Sequence, residues 1–137
     1  GTFGNSYGVY QAGENDKNAF FGEIKYYSGL TNASDARSKD VIGNFTKGLD
    51  VVKQINPIEF KRKAGFGNTE IKQIGIIAQE IEEILPEAIT ISKEFGIDDF
   101  RSYNSDAMIY LLLNSIKELS NKVDEQEKKI NELILNK

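Results

Sequence analysis

The chain has 137 residues, 39% of them hydrophobic and 28% charged, with a net charge of −4, enough for one small domain and an appendage. It contains neither cysteine nor histidine, so disulfides, thiolate sites and a zinc centre are not expected, and no cofactor or metal is called for. The acidic balance gives no support to a nucleic-acid partner, and no apolar run approaches the roughly 18 residues that suggest a membrane span.

Residues 1–33 differ from the rest. Six of the twelve glycines fall here, with Phe3, Tyr7, Tyr10, Phe20, Phe21, Tyr26 and Tyr27. Short aromatic strands separated by Gly/Asn/Asp turns fit that composition, with a turn at Gly13-Glu14-Asn15-Asp16. So few strands cannot hold themselves together in water. They are expected to pack on other copies of themselves or on the domain that follows. A start at Gly1, without methionine or a signal pattern, reads as a C-terminal piece of a longer polypeptide.

Ser34-Asp35-Ala36-Arg37-Ser38-Lys39 sets a hydroxyl five residues before an amine. With no histidine in the chain, Lys39 is the natural base for Ser34 if chemistry happens here. A lysine serves as a base only when burial or nearby positive charge lowers its pKa. Five residues turn about 140° around a helix and end on the opposite face of a strand. The pair can therefore meet only if the backbone bends between them, or if the lysine comes from a neighbouring subunit. The alternative is a polar loop in which Ser34 or Asp35 caps a short turn and Lys39 stays in solvent.

Phe45, Leu49, Val52 and Ile55 form one apolar stripe, which predicts a helix from Asn44, capped by Asn44 or Thr46 and stopped by Pro57. Ile58 to Arg62 alternates like a half-buried strand. Ala64 to Asn68 is a turn, and Ile71 to Ile77 is the paired strand, more deeply buried. Ala78 to Leu85 is a short helix closed by Pro86, with Ile81, Ile84 and Leu85 inward and Glu82 and Glu83 on the surface. Ala88 to Ser92 is a strand, and Glu94 to Phe100 a loop. The spacing of the acids in that loop fits no EF-hand, so no metal is assigned to it.

The last helix starts at Asn104-Ser105-Asp106. Ile109, Ile116, Val123 and Ile130 occupy one heptad seam position, and Leu112, Leu119, Gln126 and Leu133 the other. Four heptads with seven of eight seam residues apolar predict a coiled coil. Met108, Leu111 and Leu113 widen the apolar face at the start, where the helix is expected to dock on the globular part. Beyond Ser120 only the seam remains, and it needs partner helices. β-Branched residues at one position with leucine at the other favour dimers, and Gln126 in the core sets register and oligomer state at a cost in stability. The heptads predict a parallel oligomer without fixing its number.

The hexapeptide is followed by a short amphipathic helix, an apolar strand, Gly75-Ile76-Ile77-Ala78-Gln79-Glu80, Pro86-Glu87 and a coiled coil. In that combination, from Ser34 to the end, the chain resembles the intramolecular chaperone auto-processing domain. That family ends bacteriophage tailspikes, tail fibres, neck appendages and endosialidases, and also occurs in myelin regulatory factor. The resemblance implies an α+β fold, a small antiparallel sheet with short helices and a long C-terminal coiled-coil helix, in an intertwined homotrimer. It implies a stalk end over 1–33, a globular auto-processing domain over 34–106 and a trimeric coiled coil over 107–137. It also implies a self-cleaving serine endopeptidase with Ser34 and Lys39 as a dyad, cutting between Ala33 and Ser34.

Asp35 would orient the loop. Arg37 would either hold Lys39 neutral by repulsion or anchor the loop to an acid. Gln79 and Glu80 would make a polar contact near the cut, or form only a solvated first turn stabilised by the helix dipole. Ser38 replaces a residue that is commonly apolar in the family. The implied setting is a virion precursor assembled in the host cytoplasm, attached to the fibre stalk of its own polypeptide, with the released fragment absent from the mature virion. Two rivals stay open: a structural trimerisation or capping module that is never cut, and a receptor-binding tip that uses the aromatics of 1–33.

Overall fold

The computed structural model describes Phe20 and residues 23–137. The chain divides into two compact units, Gly1–Asp35 and Ala36–Lys137. In the first, Phe20 and residues 23–35 form neither helix nor strand, and their side chains are exposed. The expected aromatic strands are therefore not formed at Tyr26 and Tyr27, consistent with too few strands to support one another in one chain. Those expected at Phe3, Tyr7, Tyr10 and Phe21, and the turn at 13–16, lie outside the described residues.

The second unit is α+β, and its strands form two separate two-stranded antiparallel sheets. It opens on a 3-10 turn, Ala36–Ser38. Helix α1 is one turn, Leu49–Val52, not the longer helix expected from Asn44. Gly43 and Gly48 weaken that longer helix, each by about 1 kcal/mol relative to alanine in a helix interior. The carbonyls of Phe45 and Lys47 are also taken: both accept from Asn114 Nδ2 at 2.9 Å. Neither Asn44 nor Thr46 caps α1. Gly48 is the N-cap residue and offers no side chain; Leu49 N donates instead to Glu118 Oε2 at 3.1 Å.

Strands β1, Ile58–Phe60, and β2, Gln73–Gly75, pair with Ile58 opposite Gly75 and Phe60 opposite Gln73. Gly75 is needed by close approach, since a Cβ there would stand 2.9 Å from the Phe60 ring. The expectation that β2 is deeply buried fails: Ile74 is 78% exposed and Ile71 is exposed beside it. A two-stranded ribbon leaves apolar side chains uncovered unless something packs on it.

Helix α2, Ala78–Ile84, falls where the apolar spacing and Pro86 put it, and a 3-10 turn, Pro86–Ala88, takes up Ala88, expected as the first strand residue. Strands β3, Ile89–Glu94, and β4, Ile97–Tyr103, form a hairpin. The segment expected as a loop is thus largely a strand. Phe95 and Gly96, with φ of 54° and 77°, make the two-residue turn whose twist suits a hairpin. A bulge follows, two residues of β4 facing Lys93. The tips of the two hairpins meet in an aromatic cluster, with ring centroids of Phe66, Phe95 and Phe100 5.1 to 6.4 Å apart.

Helix α3, Ser105–Leu135, begins as expected, with the Asn104 side chain accepting from Asp106 N at 2.9 Å. Ala107, Met108, Leu111, Asn114, Ser115 and Glu118 form its docked face, all buried or half-buried. The Ser115 hydroxyl is satisfied by donating to Leu111 O at 2.8 Å. Leu113, expected to dock, is exposed: it lies two residues beyond Leu111, on the other side of the helix. The core joins Ile81, Leu85, Ala88 and Leu111, with Val51, Val52, Ile55, Ile76, Ile84, Ile89, Ala107 and Met108 packed around it.

Candidate functional site

The boundary between the two compact units runs through the hexapeptide. Ala33, Ser34 and Asp35 close the first unit, and Arg37, Ser38 and Lys39 belong to the second. Ala36 to Ser38 form a tight turn in which Lys39 N donates to Ala36 O at 3.2 Å. The backbone therefore bends just before Lys39. All six side chains are exposed in the single chain.

Gln79 and Glu80 are exposed on the first turn of α2, where Ile77 is the N-cap residue and provides no side-chain cap. The acid in that turn faces the positive end of the helix dipole, as in the solvated-turn reading.

Polar contacts also hold the chain that follows Lys39. Lys47 Nζ donates to Ile84 O at 3.2 Å and to Glu87 Oε2 at 3.0 Å, placing a cation at the carbonyl end of α2. Burial pushes the Glu87 carboxyl up, but hydrogen bonds from its own backbone amide and from Lys47, with the Lys47 charge, outweigh it and hold the carboxyl below its ordinary value. Glu82 is not a surface acid, as expected from sequence, but half-buried against Arg101; their side chains are 32% and 22% exposed. Arg101 also binds Asp99 Oδ2 at 2.9 Å. Those hydrogen bonds, to Glu82 first, raise the Arg101 pKa further, and the bond from Arg101 lowers that of Asp99.

Two shallow cavities flank Phe45. One of about 260 Å³ is lined by Phe45, Glu87, Asn104, Asp106, Ala107 and Tyr110. The other, about 290 Å³, is lined by Phe45, Thr46, Asn114, Lys117, Glu118 and Asn121. Neither includes Ser34 or Lys39.

Sequence reasoning missed Lys47, Asn114 and Glu118, the residues that hold this segment. The available signal was the placement of Asn114 and Glu118 four residues apart, on the side of α3 that carries Leu111.

The seam residues are brought onto one face of α3 and left uncovered. Ile109, Leu112, Ile116, Leu119, Val123, Ile130 and Leu133 are between 47% and 69% exposed. Gln126 is exposed among them. Among the described residues five apolar side chains are buried, while the large exposed ones far outnumber them.

Residues 34–90 match the protein family described as chaperone of endosialidase, which is classed with the peptidases. The chain is 31% identical over 98 residues to the long tail fiber protein Gp37 of Enterobacteria phage K3, covering 71% of this chain and 8% of that protein. The same protein of Enterobacteria phage T2 is also 31% identical over 98 residues, 71% of this chain and 7% of the fibre. That of Salmonella phage S16 is 28% identical over 120 residues, 85% of this chain and 16% of the fibre. The chain thus spans a small fraction of the length of these relatives.

Proposed function

With residues 34–90, this chain belongs to the chaperone-of-endosialidase family, and on that premise we propose that it is the C-terminal intramolecular chaperone of a phage tail fibre. It drives trimer assembly and then releases itself by cutting between Ala33 and Ser34. The observation that carries the assembly half is the uncovered seam of α3. Fully burying one Val, Leu or Ile side chain contributes about 1.5–3 kcal/mol. Seven such positions are a strong drive to zip parallel copies together. The number three follows from the family resemblance. Tethering then raises the effective concentration of the adjoining stalk segments, which otherwise face a slow search for long-range strand pairing.

In the cleavage step, Lys39 Nζ takes the Ser34 hydroxyl proton as Oγ bonds to the Ala33 carbonyl carbon. The Ala33–Ser34 C–N bond breaks, and the proton passes to the leaving nitrogen, which becomes the new amino terminus. Water then cleaves the ester, leaving a carboxylate on Ala33 and the free Ser34 hydroxyl. The turn at Ala36–Ser38 supports this reading by bending the chain next to Lys39. Because Lys39 is exposed in one chain, the burial it needs is provided by neighbouring copies. Removing the helper leaves the fibre's persistence to kinetics, because an unfolded stalk has lost its template.

The alternative, a trimerisation or capping module that stays attached, is favoured by the exposure of Ser34 and Lys39 on different compact units. Intact mass under denaturing conditions separates the two readings. Self-cleavage yields a fragment beginning at Ser34 that is absent in Ser34→Ala and Lys39→Ala, whereas a capping module keeps its full length in the assembled oligomer.

A further inference from the structure

We infer that Asn114 and Glu118 are positioning residues for the cleavage loop, latching the segment that starts at Lys39 to the side of α3 turned away from the seam. This rests on the self-cleavage reading above. The Asn114 amide uses both of its N–H donors, on Phe45 O and Lys47 O at 2.9 Å each. One helical turn on, Glu118 Oε2 accepts from Leu49 N at 3.1 Å. Gly48 leaves the space for that carboxylate: a Cβ there would collide with Glu118 Oε1 and stand 2.9 Å from its Cδ. On the other side of the segment, Lys47 is fixed to Ile84 O and Glu87. Residues 45–49 are therefore held between α3 and the end of α2.

The seam residues Leu112, Ile116 and Leu119 occupy the same two turns of α3 as the latch. At 3.6 residues per turn, Asn114 and Glu118 lie roughly 100–160° around the helix from them. A helix whose rotation is set on one side by three hydrogen bonds presents its seam at one azimuth on the other. Every copy that joins the seam then carries Phe45 to Leu49 in one orientation, with Lys39 tethered to it. Lys39 is six residues before Phe45, so its reach from the latch is at most about 20 Å. Zipping the seam and placing Lys39 become a single event, which is how cutting is made to wait for assembly.

The test uses the full chain with three readouts: native oligomer mass, the rate at which the fragment beginning at Ser34 appears, and deuterium exchange of the Leu49 amide, the N–H that the latch holds. Asn114→Ala and Glu118→Ala are expected to keep the oligomer mass, cut about tenfold more slowly, and exchange about tenfold faster at Leu49, the size of a lost helix cap. Glu118→Gln keeps an acceptor oxygen and restores both. Met108→Ala loosens the core without touching the latch. Compared at equal loss of melting temperature, it leaves the cutting rate per oligomer and the exchange of the Leu49 amide as in the parent. The inference is overturned if Met108→Ala slows cutting as much as Glu118→Ala, or if Glu118→Ala leaves both rates unchanged. If the parent protein never cuts, the self-cleavage reading fails, and exchange of the Leu49 amide alone decides whether the latch exists.

Discussion

Glu118 and Leu49 lie 69 residues apart, and the carboxylate of the first caps the backbone amide of the second at 3.1 Å. A single-turn helix with a glycine at its N-cap thus obtains from a distant helix an acceptor for its first backbone amide. Gly48→Ala should displace that carboxylate and cost about 1 kcal/mol, the usual value of a cap. Thermal unfolding should show a midpoint lower by a few degrees. An unchanged midpoint would mean that the Glu118 contact contributes nothing to folding.

The seam carries the next expectation. Ile116→Asn places an amide on the exposed apolar seam of α3. It should shift the native mass toward a single chain while leaving the core around Ile81, Leu85 and Leu111 folded by near-ultraviolet circular dichroism. Gln126→Leu should act in the opposite sense, raising the melting temperature and broadening the oligomer distribution, because a polar core residue exchanges stability for register. Sedimentation of the two variants beside the parent reads both effects.

Acid should unfold the protein through its paired carboxylates. The Glu87 carboxyl is held low because hydrogen bonds from its own amide and Lys47 outweigh its burial, and Asp99 is held low by Arg101. A group whose pKa is depressed in the folded state stabilises it above the unfolded value, and that contribution is lost as pH falls through the folded value. Urea midpoints should hold level from neutrality to about pH 5, then fall below about pH 4, where free carboxyls titrate. Arg101→Met should make that acid-side fall shallower.

At the β3–β4 turn two effects oppose each other. Phe95 sits at φ 54°, a region that a bulky side chain rarely adopts. Its ring is 5.1 Å from Phe66 and 5.4 Å from Phe100. Phe95→Asn relieves about 1 kcal/mol of backbone cost and forfeits two aromatic contacts worth about 0.5–1.5 kcal/mol each beyond their buried area. A net loss of about 1 kcal/mol in chemical denaturation is expected once that area is counted. A gain would show that the cluster does not hold the two hairpin tips.

Local signals in the sequence located α3 from Asn104 and α2 up to Pro86, because a cap or a proline acts on its own neighbours. They also placed the seam on one helix face, since that needs only the heptad spacing. Features decided by distant residues were out of reach. The stripe from Phe45 to Ile55 looked helical until Asn114 claimed two of its carbonyls, and Glu82 looked solvated until Arg101 reached it. Strand β4 was hidden because Gly96, Asp98 and Asp99 resemble a loop, while the pairing with β3 that overrides their weak strand preference lies in another segment. Ser34 and Lys39 were legible as a motif. In one chain both side chains are exposed, and no local pattern in the hexapeptide fixes how they meet.

Intact mass of the assembled protein, taken under denaturing conditions after native sizing, probes the proposal most directly. The expected result is a species beginning at Ser34, formed only in oligomeric material and missing from Ser34→Ala and Lys39→Ala. A stable oligomer whose chains keep their full mass indefinitely would leave an end cap that assembles and cuts nothing.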